Sequence, residues 1–97
     1  VRAPATYSVA LSGEVDLAMG ARLDALASGY ENGTTLDVRV DLREVSFMDS
    51  AGLAFVARLV RAALERGGEV VLVAPSPVVR RLLTVSGLDQ LARVTTA

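Results

Sequence analysis

The sequence predicts an α/β domain in which a single-layer, mostly parallel sheet carries its helices mainly on one face. Three observations point there. Strand-like segments alternate with helix-like ones of roughly 10–16 residues, and crossovers of that kind join parallel strands. Two strand segments, 6–11 and 36–43, alternate larger apolar residues with small or charged ones, so each has a dry and a wet face. A sheet covered on both sides would be apolar on both. Finally, 97 residues without a repeat, linker or low-complexity stretch read as one domain over 1–97, long enough to bury a core without disulfides or metal.

Each element follows from a local pattern. In 6–11, Tyr7, Val9 and Leu11 are large and apolar while Thr6, Ser8 and Ala10 are small. Gly13 reads as a turn. Across 17–30, Met19, Leu23, Leu26 and Tyr30 recur at helical spacing, and Asn32-Gly33 stops the helix. Leu36, Val38, Val40 and Leu42 then alternate with Asp37, Arg39, Asp41 and Arg43, and Val45 and Phe47 lead into a corner at Asp49-Ser50. After the corner, Leu53, Val56, Ala57, Val60, Ala63 and Leu64 form one apolar helix face, with Arg58, Arg61 and Glu65 turned to solvent. Arg66-Gly67-Gly68 ends that helix with glycine available for a left-handed cap. Residues 70–74 are continuously apolar, as in a strand inside a sheet. Ser76-Pro77 supplies an N-cap and first turn for a helix carrying Val79, Leu82, Leu83 and Val85, closed by Gly87. A last short strand is expected within 91–95.

Composition removes whole classes of chemistry. There is no Cys and no His, so metal sites built on those ligands, cysteine nucleophiles and Ser-His triads are excluded. All ten basic residues are Arg, which rules out a Ser-Lys pair as well and reads as codon usage in a GC-rich genome. An independent enzyme or nucleotide-binding protein is therefore a poor reading. The net charge of −1 comes from charges scattered along the chain, with no basic stripe for nucleic acid. No apolar run reaches the roughly 18–20 residues of a membrane span, and no signal peptide is visible, so a cytoplasmic location is expected. No cofactor is implied: the glycines fall in no phosphate-loop spacing, and Asp16, Asp41 and Asp49 read as surface charge before they read as a Mg²⁺ site.

Ser50 is the residue with the most to offer. It follows a strand and opens a helix, where unpaired backbone N–H groups and the helix dipole favour negative charge. A phosphoryl group there would find hydrogen-bond donors without refolding the domain. Gly52 removes bulk from the first turn and would let another molecule approach the backbone. Asp49 either caps the helix or stands close enough to repel a phosphate. Against this, Asp-Ser before an apolar helical run is ordinary capping chemistry. The Arg80-Arg81 pair reads as solvated helix charge.

The stretch Val40-Asp41-Leu42-Arg43-Glu44-Val45-Ser46-Phe47-Met48-Asp49-Ser50-Ala51-Gly52-Leu53 closely resembles the STAS domains of bacterial anti-sigma factor antagonists. Ser12-Gly13-Glu14-Val15-Asp16, Gly67-Gly68-Glu69 and Ser86-Gly87-Leu88 agree with that family in order and spacing, so the resemblance covers about residues 6–95. It implies that Ser50 is phosphorylated by a cognate anti-sigma factor that is also a serine kinase. Asp49, Ala51, Gly52 and Leu53 match the surrounding corner, and Asp16 matches a carboxylate near the partner-binding surface. In such a cycle the unphosphorylated antagonist binds the kinase and frees the sigma factor. The phosphorylated form lets go, and a serine phosphatase resets it.

The resemblance has departures. Ala51 stands where many relatives carry a second hydroxyl. A strand before 6–11 and a helix after 95 are also family features for which this chain has little room. The competing expectation is an interaction module of the same fold, in an anion transporter, a multidomain stress sensor or a lipid-transport complex, docking through the same corner without phosphorylation.

Overall fold

The computed structural model describes residues 5–96. Four strands form one all-parallel sheet in the order β1-β2-β3-β4: β1 Thr6–Val15, β2 Asp37–Met48, β3 Val70–Val73 and β4 Arg93–Thr95. Between them run α1 Gly20–Glu31, α2 Ser50–Arg66 and α3 Pro77–Val85. Single 3-10 turns at Leu17–Met19 and Leu88–Gln90 introduce α1 and β4. Each crossover steps one strand in the same direction, and right-handed crossovers of that order place every helix on one face. The expected architecture is therefore the one observed. The family's strand before β1 would draw on residues 1–4, which lie outside the described residues.

Several boundaries differ from the sequence reading, and the sheet explains why. Gly13 is not a turn. Its φ of +72° lies within β1, beside one of two register shifts that let β1 continue to Val15. The same shifts alter the period of β2, whose buried residues fall at Val38, Val40 and Leu42 and then at Val45 and Met48. Strict alternation breaks after Leu42 because β2 gives up two extra residues against β1. What reads as a strand plus a lead-in is thus one twelve-residue strand.

The core lies between the helix face of the sheet and the inner faces of α1–α3, around Val40, Leu42, Leu59, Leu72 and Leu83. Tyr30 is fully buried, with the Arg66 guanidinium carbon 4.4 Å from its ring centre. Arg66 also donates to the carbonyls of Thr35 and Glu31, tying the end of α2 to the end of α1. Two residues expected elsewhere on α2 are corrected. Leu64 is exposed, because α2 rolls that position past the edge of the core. Arg58 is not turned to solvent but reaches across to α1, donating to Glu31 at 2.6 and 2.7 Å and to Asp24 at 2.6 Å. Arg61 and Glu65 face solvent as expected. The Glu31 carboxyl is held below its ordinary value, chiefly by the hydrogen bond from Arg58 and against a smaller opposing desolvation.

Candidate functional site

The C-terminal ends of β1 and β2 lie side by side, with Val15 paired to Met48, and both strands turn there into helical segments. The Asp49 N–H donates to the Val15 carbonyl at 3.2 Å, which fixes the corner. Asp49 is the N-cap of α2: its Oδ1 accepts from the Ala51 N–H at 2.8 Å and from the Gly52 N–H at 3.4 Å. Its second oxygen, Oδ2, accepts from the Leu17 N–H at 3.3 Å, joining the two strand ends. Asp16 does the same work one element earlier, accepting from the Ala18 N–H at 3.0 Å to cap the 3-10 turn.

Ser50, the first residue of α2, is therefore relieved of capping. It is exposed, and its hydroxyl has no hydrogen-bond partner among the described residues. A side chain with no structural duty at the surface of a fixed backbone is open to modification or contact. Two of the donors expected to receive a phosphate are, however, already occupied. Ala51 and Gly52 give their N–H groups to Asp49, while the Ser50 N–H bonds to none of the described residues, so a phosphoryl group on Ser50 would meet one open donor beside a carboxylate.

The expectation that Gly52 clears space for an incoming molecule is corrected. Gly52 is buried, and a Cβ there would stand 2.5 Å from Met48 Cγ and 3.0 Å from the Val15 carbonyl oxygen. The missing side chain lets α2 start directly against β1. Leu53 is half-buried and packs on the core, leaving Ala51 as the half-exposed neighbour of Ser50. Asp41 is not at the corner at all. It sits near the middle of β2, where its Oδ1 accepts from the Arg43 N–H at 3.0 Å. Among the described residues no three His, Cys, Asp or Glu side chains gather as a metal site.

Two features of this end were not read from the sequence. Leu17 is 79% exposed and Phe47 is 47% exposed. The signal for Leu17 was available, since a capping Asp16 puts the next residue at an outward-facing first helical position. The second feature is an open, mostly apolar groove of about 250 Å³ between α1 and α2, lined by Gly20, Leu23, Asp24, Ala51, Ala54, Phe55 and Arg58. Its presence depends on how two helices far apart in sequence are set, and Ala51 joins it to the Ser50 corner.

Residues 1–94 match the family described as Mlab, STAS domain. The chain belongs to the STAS-domain family. This STAS domain is 30% identical over 88 residues to the anti-sigma-B factor antagonist of Staphylococcus aureus, covering 91% of this chain and 82% of that protein. It is similar to the solved structure of the anti-sigma factor antagonist SpoIIAA in its unphosphorylated form, with TM-score 0.76, 27% identity, and coverage of 90% and 78% of the two chains. The STAS domain of a SulP transporter from Vibrio cholerae shares the fold at TM-score 0.78 and 19% identity, covering 98% of this chain and 75% of that one. Among the described residues no helix is long and apolar enough to cross a membrane.

Proposed function

We propose that this STAS domain is an anti-sigma factor antagonist whose docking on its anti-sigma partner is switched off by phosphorylation of Ser50. The observation that carries this reading is the spare hydroxyl: Ser50 is exposed at the first turn of α2 while Asp49 performs the cap. The similarity to the S. aureus anti-sigma-B factor antagonist supports the class of partner. The partner is a serine kinase that supplies the ATP, and a serine phosphatase reverses the step. The domain itself is substrate and ligand, with no catalytic residue and no cofactor, and acts in the cytoplasm.

The mechanism needs no large movement. Phosphorylation adds about −1.5 to −2 charges at neutral pH. With the Ala51 and Gly52 N–H groups engaged by Asp49, that charge finds few local donors and stands beside the Asp49 carboxylate at the exposed start of α2. A partner surface arranged around a neutral hydroxyl would have to desolvate it. A penalty of about 3 kcal/mol weakens binding roughly a hundredfold.

The test is incubation with a candidate anti-sigma kinase and ATP, followed by site mapping by mass spectrometry. Phosphate is expected on Ser50 alone, and Ser50→Ala should accept none. Calorimetry should then find that Ser50→Ala retains the partner while Ser50→Asp loses affinity. Modification elsewhere, or equal affinities for the two variants, would overturn the switch. The transporter-type alternative, sharing only the fold, predicts no phosphorylation in the same assay.

A further inference from the structure

The three helices share one face of the sheet, and among the described residues none of them covers the other, where Ser8, Ala10, Arg39 and Arg43 are exposed. Across that open face β2 runs as a central strand, carrying Asp37, Arg39, Asp41 and Arg43 in alternation. Read backwards, this order is the same with every sign inverted. Stacking two such faces with their strands parallel would set Arg39 over Arg39 and Asp41 over Asp41. Stacking them antiparallel, about a two-fold axis level with Val40, sets Arg39 over Asp41 of the second copy and Asp41 over its Arg39. Asp37 and Arg43 pair likewise at the ends.

The neighbouring strands fit the same arrangement. In register, Ser8 lies beside Arg39 and Ala10 beside Asp41, while on the other side Val71 lies beside Arg39 and Val73 beside Asp41. Antiparallel stacking therefore sets Ser8 over Ala10, two small residues that permit close approach, and Val71 over Val73. Val71 is half-buried and Val73, 2% exposed, is already covered within its own chain, so of this pair Val71 supplies the contact surface. The Arg39 guanidinium has no partner among the described residues, and Asp41 uses Oδ1 on Arg43, leaving Oδ2 for another donor.

We propose that two copies of this domain associate through their open sheet faces, β2 against β2 in antiparallel register. The sign-inverted order favours a second copy over an unrelated partner, because only an isologous contact uses one patch twice. The stacked residues number about seven on β2, about six on β1 and about three each on the short β3 and β4, which at ~4.8 Å by ~3.3 Å a residue gives roughly 300 Å² a side. That is less than half the ~800 Å² per partner of a stable interface. The dimer is accordingly weak, concentration-dependent and salt-sensitive.

Sedimentation over a concentration series at low and high salt tests it. The wild-type chain should self-associate at low salt and dissociate as salt rises. Arg39→Asp and Asp41→Arg should each lower self-association at least about tenfold, since each sets like charges face to face. Their equimolar mixture should associate again, because the heterodimer pairs two Asp on one copy with two Arg on the other. A wild-type chain monomeric throughout, single variants that associate normally, or a mixture no better than its components would overturn the proposal.

A second measurement is independent of how the Asp41 variant folds. Amide shifts of the isotope-enriched wild-type chain, followed over a concentration series at low salt, need no substitution. The shifts that change with concentration should fall on β1, β2 and β3 and spare α1–α3. Changes confined to β1, as edge pairing would give, or centred on the helices would overturn the stacked arrangement.

Discussion

Helices α2 and α3 both begin near a serine, and the two serines are used differently. At the start of α3, Ser76 is itself the N-cap: it is half-buried and its Oγ accepts from the Val79 N–H at 3.3 Å. At the start of α2, Asp49 takes that position and Ser50 is displaced by one residue into the helix, exposed and with its hydroxyl unbonded among the described residues. The third residue of each helix differs in the same sense. Val79 fills the core under α3, whereas Gly52 leaves α2 pressed against Val15 and Met48. The comparison teaches that a serine at a helix start is informative only once the capping residue is known. Where the cap is another side chain, the hydroxyl is spare.

The largest expected effect tests the close approach. Gly52→Val, which would make the α2 start resemble that of α3, should destabilise by about 3 kcal/mol or more, because backbone and Met48 block the added atoms. Urea denaturation measures it, and a loss below about 1 kcal/mol would show that α2 can move away from β1.

Asp49→Ala removes a cap and the tie to Leu17 together, and should cost about 1–2 kcal/mol by the same assay. Next comes the paired comparison itself. Ser76→Ala should cost about 1 kcal/mol, and Ser50→Ala should stay within about 0.5 kcal/mol. Equal losses at the two serines would remove the distinction between a working cap and a spare hydroxyl.

The smallest effect lies away from both helix starts. Glu31 has a folded pKa lowered from 4.5 by Arg58, so its contribution to stability is present above 4.5 and is lost as pH falls through the lowered folded value. Glu31→Gln should lower the melting temperature by less than about 5 °C at neutral pH, and the difference from wild type should shrink on acidification below 4.5. A difference independent of pH would mean that Arg58 does not act through charge.

Much of the fold was legible because the relevant signals are local. Ser76-Pro77 marked α3, and Gly67, with φ of +79°, capped α2 as its position foretold. The wet and dry faces of β1 and β2 came from alternation. The errors cluster where one strand sets the period of another. The register shifts of β2 against β1 turned an alternating pattern into a three-residue one after Leu42, and hid the continuation of both strands. Arg58 was misplaced for a related reason, since its partners Asp24 and Glu31 belong to a different helix.

The sequence by itself determined the α/β order, the one-sided sheet and the position of Ser50 at a strand-to-helix corner, because each depends on spacing within a few residues. It could not decide what Ser50 is free to do. That required Asp49 to be seen holding the Ala51 and Gly52 N–H groups with one oxygen and the Leu17 N–H with the other. A hydrogen bond across 32 residues of chain leaves no periodicity behind it. Tertiary structure alone assigned the cap to the aspartate and left the serine spare.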